Sequence, residues 1–356
     1  MKIVFAIPGL GFGGAERVVS ILATQMAKKH KVMIILTSGN EERAYDITSE
    51  IEIKLLQKDK NNIARWLQFR KECKEYKADI VIAFMDAVGI MAACSLIFTG
   101  IPLITTERND PSQRSRKLGF FFRVLKYISI PLTKGYVFQS EGAKHYYPVA
   151  CQKKSTIILN PIEVDKLPLR ENENVERTIV NVGRLHSQKN QSMLIAAFAD
   201  SLFCRNGYVL QIYGEGELRL NLQQQIIELK LQDRVILEGN QKNVLYKIRN
   251  AAVFVLTSNY EGLPNALMEA MAIGIPSIST DCSPGGARML IDPDFSNGII
   301  VPCNNVSKLT EVMDDLFTNQ ELMNSIGNKA KKIVDIANVE SVTSNWYTFI
   351  EKVLAE

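Results

Sequence analysis

Residues 156–182 read TIILNPIEVDKLPLRENENVERTIVNV, and this stretch decides the architecture. A β-rich run ends at Asn160-Pro161, a polar stretch covers residues 170–177, and a second β-rich run opens at Thr178. Proline and clustered polar residues interrupt regular structure, so this is the natural linker of the chain. Upstream, strand-like runs at 2–7, 32–37, 51–56, 79–84, 102–106, 135–138 and 156–159 alternate with amphipathic segments such as 15–28 and 63–76. Downstream the rhythm restarts, with runs at 178–182, 208–213, 234–237, 253–256, 276–279 and 298–301. Helical stretches near 190–203, 216–230, 242–250, 264–273 and 306–318 separate them. Such alternation predicts parallel sheets covered on both faces. The expected fold is α/β, two doubly wound domains facing across a cleft, with ligands at the carboxyl ends of the strands. The last ~35 residues read as helical, with Trp346, Phe349, Ile350 and Val353 on one apolar face.

Composition narrows the function. Of 356 residues, 46% are hydrophobic and 22% charged, the balance of a soluble globular protein. Six cysteines show no CxxC spacing, which reads against a disulfide framework or thiolate zinc site and for a reducing cytoplasm. Three histidines without HxxxH spacing make a histidine metal centre unexpected. The first apolar run breaks at Pro8, which reads against a signal peptide. The greasy stretch 80–105 is cut by Asp86, Gly100 and Pro102, which reads against a membrane span. Residues 1–160 hold 24 Lys/Arg against 14 Asp/Glu, whereas residues 161–356 hold 18 against 24. The basic half is expected to meet something anionic. A membrane surface or phosphorylated acceptor fits better than nucleic acid, for which no binding motif appears.

Gly9-Leu-Gly-Phe-Gly-Gly14 matches GxGxxG after the first strand, a pattern weak on its own. A dinucleotide site wants an acid near the end of the second strand, where none occurs until Glu41. Either Gly13 and Gly14 let helix-start amides approach a phosphate or sugar, or the loop is only a tight strand–helix turn.

Glu261-Gly-Leu-Pro-Asn-Ala-Leu-Met-Glu269 places two carboxylates eight residues apart. Pro264 suits the first position of a helix, so Glu261 is expected on the preceding loop and Glu269 one turn in. Glu269 sits among Ala266, Leu267, Ala270, Met271 and Ala272. A carboxylate in such company is costly unless hydrogen-bonded, and a ribose diol would satisfy it. Arg184 and Lys189 follow the first strand of the second half. They are either solvated loop cations or a fork and an ammonium able to neutralise a diphosphate leaving group without a metal.

At this point the chain resembles the GT-B glycosyltransferases, specifically the retaining family-4 members that build bacterial surface polysaccharides and glycolipids. The resemblance spans essentially the whole chain. It rests on Gly13-Gly14-Ala15-Glu16-Arg17, Asn160-Pro161, Val182-Gly183-Arg184 with Lys189-Asn190, Gly214-Glu215-Gly216, Glu261-x7-Glu269 and residues 281–288, DCSPGGAR. It implies a nucleotide-sugar donor in the second domain and a saccharide or lipid-linked saccharide acceptor in the first, with no cofactor and no metal. By position, Arg184 and Lys189 would hold the diphosphate and Glu269 the ribose hydroxyls. Glu261 would meet the donor sugar, helped by the backbone from Gly262 through Leu263 and Pro264 to Asn265. The 239–244 loop would border the base, and Gly13-Gly14 would close over the phosphates. Family members commonly follow the fifth strand with a histidine near the reacting sugar; here Arg108 stands in that place. The Asp292-Pro293-Asp294 run reads as a loop rather than a metal motif.

A further segment, 114–128, is expected to be a helix burying Leu118, Phe121, Phe122, Leu125 and Ile128. Its other side gathers Arg116, Phe120, Arg123 and Tyr127, with Lys126 beside them. Cations mixed with exposed aromatics suit contact with anionic lipid, although a helix with solvated cations would look similar.

The expected domains are 1–163 with 340–356 for the acceptor and 164–339 for the donor. The expected activity moves a hexose or N-acetylhexosamine from a UDP-sugar to a polyprenyl-diphosphate-linked saccharide, by a protein peripheral to the cytoplasmic face of the plasma membrane. A GT-B-fold UDP-sugar epimerase and a non-catalytic nucleotide-sugar-binding protein are the alternatives.

Overall fold

The computed structural model describes residues 1–356 except 12, 39–43, 58–60, 116–119, 172 and 293–295, and leaves the side chains of 114, 115, 120 and 121 undescribed. The chain forms two compact units. One comprises Met1–Pro161 with Ala337–Glu356, the other Ile162–Ile336.

The first unit is built on seven parallel strands: β1 (Lys2–Ile7), β2 (Lys31–Leu36), β3 (Glu52–Leu55), β4 (Ile80–Phe84), β5 (Leu103–Thr106), β6 (Gly135–Phe138) and β7 (Ser155–Ile157). Their spatial order is β3-β2-β1-β4-β5-β6-β7. Alternate residues serve opposite faces, as strand geometry requires. Ile3, Phe5, Ile7, Ile80, Ile82 and Phe84 face one layer, where the helix Gly14–Ala27 contributes Val18, Val19, Leu22 and Met26. Val4, Ala6, Val81 and Ala83 face the other, against Phe69 and Cys73 of Asn62–Tyr76 and Val88 and Ala92 of Asp86–Ser95. The C-terminal helix Val339–Ala355 returns to the first layer. Trp346, Phe349, Ile350 and Val353 are all buried there, as their spacing predicts. Trp346 stacks on Phe84 with ring centroids 6.2 Å apart.

The second unit has six parallel strands: β8 (Glu176–Val182), β9 (Val209–Tyr213), β10 (Val235–Gly239), β11 (Ala251–Leu256), β12 (Ser277–Thr280) and β13 (Ile299–Val301). Their order is β10-β9-β8-β11-β12-β13. The polar stretch 170–177 belongs to this unit rather than to a free linker. The Arg170 guanidinium donates to the carbonyls of Arg249 and Ala251 at 2.9 and 2.7 Å, and Glu176 already pairs in the sheet. Among the described residues no helix is long and apolar enough to cross a membrane.

Candidate active site

Each sheet reverses its winding once. In the second unit the chain builds β8-β9-β10 outward in one direction, then β11-β12-β13 in the other. The reversal lies between β8 and β11, and the loops leaving their carboxyl ends carry Arg184, Lys189 and Glu261. Ligand crevices of doubly wound sheets form at such points, because the diverging loops leave a gap over the strand ends.

Glu261 lies on the loop that follows β11. It is buried, and Lys189 Nζ forms an ion pair with its Oε1. The Ser258 hydroxyl donates to the same oxygen at 2.7 Å, and Gln188 Nε2 approaches Oε2 at 3.5 Å. The backbone is fixed as firmly. Glu261 N–H donates to the Ser283 carbonyl at 2.9 Å, and the Thr280 hydroxyl donates to the Ser258 carbonyl at 2.6 Å. Thr257 Oγ1 donates to the carbonyls of Lys189 and Asn190 at 3.1 and 2.9 Å, tying the two loops together. Ser258, Gln188, Thr257 and Thr280 carry no charge and no motif spacing, so sequence reasoning passes over them.

Behind these loops, close backbone approach replaces side chains. Gly214 has φ +138°, and a β-carbon there would stand 2.1 Å from the Gly183 carbonyl oxygen. One on Gly216 would stand 2.3 Å from the Leu185 oxygen. The glycines of Gly214-Glu215-Gly216 therefore seat the 183–190 loop by backbone contact. Arg184 on that loop is exposed, and its guanidinium holds no ion pair among the described residues. The arrangement places an exposed cation beside a paired one.

The helix Asn265–Ile273 starts directly after the Glu261 loop. Pro264 occupies its N-cap rather than the expected first helical position, and offers no capping side chain. The start of this helix carries the positive end of its peptide dipoles. Gly262, Leu263 and Pro264 are buried, Asn265 is half-buried, and Glu269 is buried on the same helix.

In the first unit Gly13 is the N-cap of Gly14–Ala27, in extended conformation, and its carbonyl accepts from Tyr45 Oη at 3.2 Å. Arg108 is not an open surface cation. Its Nη1 donates to Asn160 Oδ1 at 2.9 Å and its Nε to Thr106 Oγ1 at 3.1 Å, while the guanidinium lies 4.4 Å from the Phe84 ring. Burial pulls its pKa down to about 9, partly offset by neighbouring Glu107. Lys126 corrects another expectation. It turns inward to Asp86 Oδ2 at 2.9 Å and sits 4.3 Å over the Tyr147 ring. The Tyr147 hydroxyl lies between Asp86 Oδ1 and Glu107 Oε2, at 3.1 and 2.9 Å. Burial and these two carboxylates raise the pKa of Tyr147 well above the usual phenol. With Lys126 claimed by Asp86, the helix Phe120–Leu132 is rotated from the expected orientation. Phe122 and Ile128 are exposed rather than buried, alongside Arg123, Val124 and Tyr127. Arg116 and Leu118 lie outside the described residues, as do the side chains of Phe120 and Phe121 and the Pro293-Asp294 part of the 292–294 run.

Comparison with known proteins identifies the family. Residues 12–166 match the family model Glycosyltransferase Family 4, and residues 164–333 match Glycosyl transferases group 1. The chain is 27% identical to a Campylobacter jejuni protein named GalNAc-alpha-(1->4)-GalNAc-alpha-(1->3)-diNAcBac-PP-undecaprenol alpha-1,4-N-acetyl-D-galactosaminyltransferase, over 99% of each chain. It is also 27% identical to a Campylobacter jejuni N-acetylgalactosamine-N,N'-diacetylbacillosaminyl-diphospho-undecaprenol 4-alpha-N-acetylgalactosaminyltransferase, over 93% of this chain and 94% of the relative. Anabaena HepE, solved in complex with UDP, superposes with a TM-score of 0.81 at 16% identity, covering 99% of this chain and 100% of that one. The chain therefore belongs to the family-4 glycosyltransferases of GT-B fold, and it is a sugar-transferring enzyme.

Proposed function

We propose that this glycosyltransferase moves a hexose or N-acetylhexosamine from a UDP-sugar to a polyprenyl-diphosphate-linked saccharide, with retention of anomeric configuration. The observation that carries the reading is the Lys189–Glu261 pair, braced by Ser258, at the winding reversal of the second sheet. In this reading Lys189 and the exposed Arg184 close on the donor's diphosphate. The N-terminal end of Asn265–Ile273 adds positive potential, and Glu269 accepts from the ribose hydroxyls. Charge developing on the departing diphosphate is then met by preorganised donors, an effect that commonly dominates such reactions. Because two cations supply that charge, no metal is required.

The acceptor is assigned to the first unit. A lipid-linked substrate is named in both Campylobacter relatives, and the basic residues 1–160 suit an anionic lipid surface. The exposed Phe122, Val124, Tyr127 and Ile128 with Arg123 suit a peripheral position on the cytoplasmic face of the plasma membrane.

Incubation with a panel of UDP-sugars and an undecaprenyl-diphosphate-linked saccharide, with product analysis and EDTA present in one arm, tests the reading. It expects an extended lipid-linked product, formed equally with chelator. Conversion of the sugar while still nucleotide-bound, without acceptor, would instead mark an epimerase.

A further inference from the structure

Gln188 lies between Arg184 and Lys189 in sequence yet points away from solvent, at 7% exposure. Its single amide nitrogen serves the neighbouring loop twice, donating to the Tyr260 carbonyl at 2.9 Å and approaching Glu261 Oε2 at 3.5 Å. Its own carbonyl accepts from Asn259 N–H at 2.7 Å, and Asn259 Nδ2 donates to the Ser187 carbonyl at 2.9 Å. On the near side, His186 Nδ1 accepts from Gln188 N–H at 3.1 Å. Residues 186–188 and 258–261 are thus laced along their length.

Counting lone pairs on Glu261 shows what the lacing achieves. An ionised carboxylate offers about four acceptor sites, two per oxygen. Oε1 already receives Lys189 and Ser258, so its two sites are filled. Among the described residues Oε2 receives only Gln188, which leaves one site there for a ligand, and its direction depends on where Gln188 holds the carboxylate plane.

We infer that Gln188 is a positioning residue for the donor sugar: it fixes Glu261 so that the one free lone pair of Oε2 meets a sugar hydroxyl. The inference rests on the reading that Glu261 meets the donor sugar, and it adds the residue through which that contact is set. Lys189 joins the two functions, since the same loop places the phosphate-binding ammonium and the amide that orients Glu261. A donor lacking the sugar ignores Gln188; a complete donor feels it.

Calorimetry with UDP and with UDP-glucose, UDP-galactose and their N-acetyl forms separates the roles, using the full chain and two variants. Gln188→Leu removes both donors at similar volume, and Gln188→Met removes them while keeping an unbranched, uncharged side chain of the same length. Both variants are expected to bind UDP within about twofold of the parent and the preferred UDP-sugar at least ~10-fold more weakly, as loss of a hydrogen bond to a charged group implies. In turnover, KM for the donor rises more than kcat falls, because the lost contact is present in the bound ground state. Parallel loss of UDP and UDP-sugar affinity would mean that Gln188 only holds the loop together, and would overturn the inference. Unchanged UDP-sugar affinity in both variants would overturn it as well. A parent chain that binds neither UDP nor any UDP-sugar would overturn the donor reading, and this inference with it.

Discussion

Gly286 lies against Gly262 so closely that a β-carbon on Gly286 would stand 1.6 Å from the Gly262 carbonyl oxygen and 3.2 Å from the Leu263 α-carbon. The loop that carries Glu261 is therefore seated on the start of the helix Gly286–Leu290 by backbone alone. Even the smallest side chain has no room there, because both neighbours are main chain and cannot rotate away. Gly286→Ala is expected to cost about 1–3 kcal/mol through overpacking, with a thermal midpoint several degrees lower and weakened nucleotide binding. An unchanged midpoint would show that the loop yields more easily than this contact implies.

Arg184 and Lys189 are expected to fail differently when truncated. Arg184 is exposed, so Arg184→Ala removes a cation without leaving a buried partner. Lys189→Ala strands the buried Glu261 carboxylate with Ser258 and Gln188 as its remaining donors, which costs about 3–5 kcal/mol. Each variant should lose roughly 100-fold in turnover, the scale of losing one preorganised donor to a developing charge. Steady-state rates with melting curves check both halves: equal melting of the two variants, or near-parental turnover in both, contradicts the account.

The depth to which the sequence can be read follows from which physical signal each feature leaves. The central strands are plain in the sequence, since a strand buried on both faces leaves a short unbroken apolar run such as Val253–Leu256, whatever its neighbours do; the partly exposed edge strands Glu52–Leu55 and Ser155–Ile157 show only as β-rich runs. Glu269 stands out as a charge in apolar company, and Glu261 by its spacing eight residues before it. Asp86 gave the same signal, as the sole charged residue between 80 and 105, but its partners Lys126 and Tyr147 lie 40 and 61 residues away and no spacing joins them. Without that pairing, the sequence does not show which face of Phe120–Leu132 turns inward. A helical wheel shows which residues share a face, not which face meets the protein. Gln188 and Ser258 left no mark at all, because a neutral side chain that orients a charged one resembles any loop residue.

Two thiols provide a check on the packing around the strands. Burial pushes Cys73 in the first unit and Cys282 beside the Glu261 loop up to about 12. At pH 8 only about one thiol in ten thousand would be thiolate, the reactive form. Iodoacetamide treatment of the folded chain followed by peptide mass spectrometry should leave both unmodified, and denaturant should expose both. Rapid labelling of either in the native state would mean that its surroundings are looser than described.

The exposed face of Phe120–Leu132 makes a separate prediction about the membrane. Tyr127 is 72% exposed and Phe122 39% exposed, so replacing them with serine removes apolar surface without opening the core. The double variant should sediment less with phosphatidylglycerol-containing vesicles than the parent, while melting at the same temperature. Parental binding should also weaken as salt rises, because the basic half supplies the electrostatic share. Equal sedimentation of parent and variant would place any membrane contact elsewhere.

Titration of the full chain with UDP and with 2′-deoxy-UDP, for the parent and for Glu269→Ala, bears most directly on the donor site. The account predicts that the parent binds UDP more tightly than the deoxy form, because Glu269 accepts from the ribose hydroxyls. It also predicts that Glu269→Ala binds UDP about 10- to 100-fold more weakly, the scale of losing a hydrogen bond to a charged group, and no longer tells the two nucleotides apart. A parent that releases no heat with UDP, or a variant that still prefers the ribose form by the parental margin, would contradict it.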